Sequence, residues 1–201
     1  TLKKHKLDKS TIVWFTSDNG PWLIFKEHGG SAGLLRGGKG STWEGGMREP
    51  AIVWWPGRIQ PGVVSQELAG TMDIYTTSLK LAGAKIPEDR VVDGVDLSPV
   101  LFGTGKSPRK TMFFYRGTKI MAVRKGWFKA HFATRPGYGA RKAEVHDPPL
   151  LFHLGHDPGE KHNVAKAHPG VIAEIRKEVE RHLANRKSPP SQLEIPLRKR
   201  D

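Results

Sequence analysis

Asp18 and Asn19 stand side by side where an apolar run, Thr11-Ile12-Val13-Trp14-Phe15, ends in the stretch FTSDNGP, residues 15–21. A carboxylate beside an amide carbonyl is one charged and one neutral oxygen donor, and a calcium ion collects about six to eight such oxygens. Asn-Gly and Gly-Pro are also ordinary turn punctuation, so the pair by itself reads equally as a turn. The metal reading gains from position, because open α/β sheets bind their ligands at the carboxyl ends of strands.

The next segment, GGSAGLLRGGKGSTWEGGMREP, residues 29–50, carries eight glycines and sets Lys39 in its middle. Glycine at this density is unsuited to a helix or strand interior and lets backbone approach a ligand closely. A compact ammonium held there suits an oxyanion. The segment fits a nucleotide loop over Gly33 to Lys39 but has Gly40 where the magnesium-binding Ser or Thr belongs, and no helical run follows. Gly105-Lys106-Ser107 fails in turn, with Val100 at the position of the first glycine. Neither is a phosphate-binding loop.

Other polar residues read as architecture. Glu44 and Arg48 are spaced as an i, i+4 ion pair that would brace the glycine segment. Asp73, Asp93 and Asp96 read as helix caps and turn residues. His153, His156 and His162 surround a DPGE turn at a spacing that suits no common zinc site, and read as surface histidines. Cysteine is absent, which removes disulfides, thiolate metal sites and a cysteine nucleophile from these residues.

The elements that must position these groups fall into two regimes. Up to about Gly103, apolar strands alternate with glycine-rich loops and short helices. Thr11–Phe15 and Ala51–Trp55 read as buried strands, and Asp73–Ala82 as a helix stopped by Gly83. Beyond the loop GTGKSPRK, TMFFYR, KIMAVR, WFKAHF and LLFHL read as four short strands, with Lys125-Gly126 as a hairpin turn. Pro169 then opens a helix whose Val171, Ile172, Ile175, Val179 and Leu183 form one apolar stripe. The pattern predicts a small antiparallel sheet crossed by one helix.

The chain has 201 residues, 37% of them hydrophobic, enough for one real core and a small second one. Nothing approaches the ~18 consecutive apolar residues of a membrane span, and TLKKHKLDK at the start lacks the apolar stretch of a signal peptide. With no initiating Met, the sequence reads as a fragment. A formal charge of +13 and a pI near 10.1 favour polyanions. The basic residues are dispersed, however, and the densest cluster, Arg198-Lys199-Arg200, lies in the tail.

The order of strand, S-D-N-G-P, G-K-G-S-T-x-E-G-G-x-R-E-P and an apolar strand ending W-P-G resembles the sulfatase family, in particular its arylsulfatase A and N-acetylgalactosamine-6-sulfatase group. The similarity continues through MDIYTTSLKLAG, DGVDLSPVL, FFYRG, KAHF and PPLLFHLGHDPGE, nearly the whole chain. It implies an α/β, alkaline-phosphatase-like fold: residues 1–105 as the C-terminal part of the large domain, 106–187 as a small four-stranded antiparallel sheet with one helix, and 188–201 as an irregular basic tail. It further implies sulfate-ester hydrolysis with bound Ca2+ and a formylglycine made from the Cys or Ser of a C/S-x-P-S-R motif.

By motif, the resemblance assigns metal ligation to Asp18 and Asn19, and sulfate contact and catalysis to Lys39. It makes His146, just before Pro148-Pro149, a candidate substrate contact. It implies a sulfate ester as substrate, an aryl sulfate or a sulfated sugar or polysaccharide, with no nucleic acid, and an extracytoplasmic setting in a bacterial periplasm, outside the cell or in a lysosome. The nucleophile motif is missing: Ser188-Pro-Pro-Ser191-Gln192 lacks the arginine. The resemblance places that motif upstream and leads one to expect the isolated 201 residues to be inactive. A phosphatase or phosphonate hydrolase of the same superfamily is the alternative that shares the fold. A non-catalytic polyanion-binding module would explain the charge but not SDNGP or GGKG.

Overall fold

The computed structural model describes residues 1–137 and 142–186. The proposed tail at 188–201, with its Ser-Pro stretch and basic cluster, lies outside the described residues. In chain order the elements are β1 (Val13–Thr16), α1 (Glu44–Met47), β2 (Ala51–Trp54), α2 (Thr71–Leu81), α3 (Ser98–Leu101), β3 (Thr111–Arg116), β4 (Lys119–Lys125), β5 (Phe128–Thr134), β6 (Glu144–His153) and α4 (Pro169–Asn185). They form two compact units that are interleaved in sequence. One comprises Thr1–Asn19 and Arg48–Lys110; the other comprises Gly20–Met47 and the chain from Thr111 onward. The glycine-rich segment thus groups with the second unit.

In the first unit β1 and β2 pair antiparallel, with Val13 opposite Trp54 and Thr16 opposite Ala51. Their apolar runs read as buried, but Phe15 is 72% and Ile52 63% exposed. A two-stranded ribbon needs a layer on each face to bury a continuous apolar run, and no described residue of this unit covers that face.

Helix α2 starts two residues earlier than its sequence pattern indicates. Asp73, fully buried, anchors its first turn: Oδ2 accepts the Gly70 N–H at 2.7 Å and Oδ1 the Val95 N–H at 2.8 Å. The Arg109 guanidinium closes on both oxygens, with Nε 2.9 Å from Oδ2, and also donates to the Asp93 carbonyl. Asp96 accepts from the backbone and hydroxyl of Ser98 at the start of α3. Ala82 and Gly83, the latter with φ 70°, end α2 in the left-handed turn that glycine adopts without a Cβ clash.

The second unit is built on a four-stranded antiparallel meander, β3-β4-β5-β6, with Val123 opposite Ala130 and Ala130 opposite Leu151. These three residues and Ala165 form a core that Ile172 and Ile175 of α4 close, with Val171 and Val179 packed at its margin. Full burial of a branched aliphatic side chain stabilises by about 1.5–3 kcal/mol, so a few such residues hold the helix. Leu183, the last member of the stripe, is 46% exposed near the end of α4. Strand β6 begins six residues before the predicted apolar run, passing through Asp147-Pro148-Pro149. Proline is tolerated there because β6 is an edge strand. Among the described residues no helix is long and apolar enough to cross a membrane.

Candidate functional site

The pairing of β1 with β2 explains what surrounds Asp18. Continuing the antiparallel register two residues beyond Thr16 and Ala51 sets Asp18 across from Glu49. The Thr16 hydroxyl donates to the Pro50 carbonyl at 3.0 Å and the Ser17 hydroxyl to the Asn19 carbonyl at 2.8 Å, which fixes the corner. Asp18 is exposed and Asn19 half-buried. Burial pushes the Glu49 carboxyl above its ordinary range and the Asp18 charge pushes it further, with the nearby Ser17 hydroxyl opposing both. Glu49 Oε1 is buried without a hydrogen-bond partner among the described residues.

Two mutually repelling carboxylates, one with an orphaned oxygen, next to an amide suit a hard divalent cation better than they suit each other. The residues therefore fit the calcium implied by the sequence, with Asp18 and Asn19 as donors and Glu49 beside them. Among the described residues no group of three or more His, Asp or Glu side chains is arranged to hold a metal.

Lys39 lies in the second unit, half-buried, on a loop shaped by close backbone contacts. Its N–H donates to the Pro21 carbonyl at 2.9 Å, and a Cβ added at the adjacent Gly38 would stand 2.6 Å from that oxygen. Only glycine permits this approach. Arg116 donates to the Gly40 carbonyl at 2.7 Å, and a Cβ at Gly137 would meet the Lys39 carbonyl at 3.3 Å. The Lys39 ammonium stands 5.3 Å from the centre of the Trp22 ring, and no carboxylate among the described residues pairs with it. An ammonium over an aromatic face keeps its charge available to an incoming anion.

His146, on β6, hydrogen-bonds through Nε2 to Thr134 Oγ1 at 2.8 Å and has Nδ1 4.0 Å from Glu144. Asp18 and Asn19 thus belong to the first unit, and Lys39 and His146 to the second. His153 and His156 stack on each other at 4.2 Å, and the His162 N–H donates to Asp157.

The predicted pair of Glu44 with Arg48 does not form. Arg48 lies beyond the single turn of α1 and donates to Gln66 at 2.7 Å. Glu44, 2% exposed, meets Lys129 instead: Nζ is 2.8 Å from Oε1, and Arg124 approaches Oε2 at 4.0 Å. The fully buried Lys129 also lies 3.4 Å from Glu160, itself fully buried. Glu160 Oε1 is 2.6 Å from His131 Nε2, and its Oε2 accepts the Glu44 N–H at 2.6 Å.

This cluster of two acids, a lysine and a histidine escaped sequence analysis. Its traces there were Glu44, read as the partner of Arg48; Lys129 and His131, two apart within the strand-like WFKAHF; and Glu160, closing DPGE. Burial pushes His131 down, outweighing the bond to Glu160; its Nδ1 is buried without a partner among the described residues, so protonation there would strand an N–H. Burial would raise Glu160, but the His131 bond, the Lys129 charge and the Glu44 N–H together bring it below the ordinary carboxylate range. With Glu160 Oε1 2.6 Å from Nε2, the neutral ring that burial favours donates through Nε2–H.

Comparison with known proteins agrees with these segments. The family model for sulfatases matches residues 1–84, and that for the C-terminal region of aryl-sulfatase matches residues 107–198. Arylsulfatase A of Bos taurus is 49% identical over 172 residues, 77% of this chain and 33% of that protein. N-acetylgalactosamine-6-sulfatase of Canis lupus familiaris is 46% identical over 181 residues, 80% of this chain and 34% of that protein. The crystal structure of PsFucS1 sulfatase from Pseudoalteromonas sp. superposes with a TM-score of 0.81 at 33% identity, over 91% of this chain and 38% of that one. The chain thus spans about a third of the length of the curated relatives it matches.

Proposed function

This chain belongs to the sulfatase family, and we propose that it supplies the cation-binding and sulfate-binding residues of a sulfuric ester hydrolase with the alkaline-phosphatase-like fold. The observation that carries the proposal is that Asp18, Asn19 and Lys39 all lie within residues 1–84, the segment matched by the sulfatase model. Lys39 binds the sulfate group of the substrate. Its ammonium is a compact charge held by backbone rather than by a carboxylate, so it needs no reorganisation as negative charge shifts onto the sulfate and the leaving oxygen. His146 is a substrate contact at the edge of the C-terminal sheet.

Asp18 and Asn19 hold the divalent cation, calcium by the character of the donors, and Glu49 adds a second negative charge beside Asp18. When bound, such an ion offsets charge on the sulfate oxygens and polarises the attacking group. No residue of this chain fits the family's formylglycine: it has no cysteine, and no serine within S-x-P-S-R. The nucleophile is therefore assigned outside these 201 residues.

Residues 1–105 are assigned to the catalytic domain and 106–187 to the small C-terminal domain. One relative is named for sulfated N-acetylgalactosamine, which together with the +13 charge supports a sulfated sugar or glycosaminoglycan as substrate, and family membership supports an extracytoplasmic setting. The test is hydrolysis of an aryl sulfate by the full-length protein, set against the corresponding phosphate ester. Turnover of the sulfate that falls in both Lys39→Ala and Asp18→Ala is expected. Preference for the phosphate would overturn the assignment in favour of a phosphatase.

A further inference from the structure

Loops rich in glycine lose much conformational entropy on ordering, so a loop that presents a charge in one place must be held from outside. The Lys39 loop is held on both flanks by one residue. Upstream, Arg36 Nη1 donates to the backbone carbonyl of Glu160 at 2.9 Å; downstream, the Glu44 N–H donates to Glu160 Oε2 at 2.6 Å. Between these two anchors run only the residues that carry Lys39 and Trp43.

The anchors are themselves tied together. The Arg36 guanidinium stacks on the Trp43 ring at 3.7 Å, Trp43 packs on His131 at 4.2 Å, and the Gly45 N–H returns to the Arg36 carbonyl at 2.7 Å. Lys129 lies between the Glu44 and Glu160 carboxylates and offsets their repulsion. Glu160 adopts φ 50°, a left-handed conformation that non-glycine residues rarely take, in a turn with Gly159 before it. Such backbone persists where surrounding contacts over-determine it, and it clusters where geometry serves a site.

We propose that Glu160 is a positioning residue that clamps the Lys39 loop, acting through Arg36 and Glu44 with Lys129 and His131 as its buried supports. The inference rests on the reading of Lys39 as the sulfate-binding cation, and it assigns the DPGE turn a role in turnover beyond architecture. Glu160 touches no substrate. Loss of its carboxylate frees the Glu44 flank of the loop while the backbone carbonyl still holds Arg36, and misplacing a charged group by about 1 Å is enough to cost roughly 10²-fold in rate.

The experiment uses the full-length protein with an aryl sulfate as substrate and inorganic sulfate as competing anion. Glu160→Ala is expected to lower kcat/KM by roughly 10-fold to 10²-fold and to weaken inhibition by sulfate. Glu160→Gln, which keeps an oxygen for the Glu44 N–H, should recover most of the loss. Ile175→Ala, which loosens the same unit at the helix core, should lower the melting temperature without those kinetic changes. Because Glu160 acts through Lys39, adding Glu160→Ala to Lys39→Ala should cost little more, whereas independent effects would multiply.

Amide hydrogen exchange decides the clamp without any appeal to sulfate chemistry: backbone positions 37–45 should exchange faster in Glu160→Ala than in the parent, while β4 and β5 keep their protection. Parental exchange in that segment, full multiplication with Lys39→Ala, or the same kinetic loss in Ile175→Ala would each overturn the proposal. If Lys39→Ala alone leaves kcat/KM unchanged, the sulfate-binding reading fails and the role of Glu160 in turnover fails with it, whereas faster exchange would still establish the mechanical clamp.

Discussion

Lys129 Nζ lies 2.8 Å from Glu44 Oε1 with both side chains out of solvent, at 0% and 2% exposure, joining two residues 85 positions apart. A buried ion pair is not a large net stabiliser, since desolvation opposes the attraction, but removing one partner leaves the other charge uncompensated and costs about 3–5 kcal/mol. Lys129→Met should therefore destabilise the protein on that scale, seen as a lower midpoint in chemical denaturation. Lys125→Met, which breaks pairs with Glu174 and Glu178 at the solvent boundary, should cost less than about 1 kcal/mol. Equal losses from the two would contradict the assignment of Lys129 to a dry network.

Acidification should loosen the same unit. Burial depresses His131 below its ordinary 6.5, with Lys129, Glu44 and Glu160 the charged groups that face it. A depressed histidine binds fewer protons folded than unfolded, so its contribution is full above about pH 6.5 and is lost as the pH falls through the folded value. Glu160 is depressed below 4.5 and loses its contribution as the pH falls further, in the same direction. Melting temperature should decline from pH 7.5 to pH 5 in the parent and decline less in His131→Phe. A steeper decline in the variant would contradict a neutral His131.

The cation site predicts a graded response. Asp18→Ala removes a charged donor and should weaken calcium binding in the full-length protein, measured by calorimetric titration. Asn19→Ala removes a neutral donor that water replaces in part, and should be milder. Binding like the parent's in both variants would remove FTSDNGP from the metal site.

Much of this was legible in the sequence, and what was not has physical causes. The strands of the C-terminal sheet are legible as short apolar runs bounded by turns, and α4 as an apolar stripe at helical period; β4 and β5 bury successive residues, so alternation is not what marks them. The exposure of Phe15 and Ile52 was hidden, because a continuous apolar run signals burial on two faces without saying what covers them. Strand β6 was partly masked by Pro148 and Pro149, which only an edge position accommodates. Glu49 becomes visible beside Asp18 once the register of β1 with β2 is known. Glu160 and Glu44 are separated by 116 positions, and nothing local in either segment marks them as partners.

The 201-residue chain by itself should not turn over an aryl sulfate, since it lacks a residue convertible to formylglycine in the required context. Hydrolysis above a buffer blank by the purified chain would sink the assignment of the nucleophile to other residues.

The central claim is that Lys39, held by a glycine loop and paired with no carboxylate among the described residues, binds the sulfate group. Steady-state kinetics of the full-length parent and Lys39→Ala on an aryl sulfate, with thermal unfolding alongside, tests it most directly. Contact in the ground state alone would raise KM; contact that tightens as charge develops would also lower kcat. The account predicts both, a combined loss of roughly 10²-fold or more in kcat/KM, comparable to removing one preorganised donor, at an almost unchanged melting temperature. Unchanged kcat/KM would remove Lys39 from the site, and a collapse in melting temperature would make its role structural.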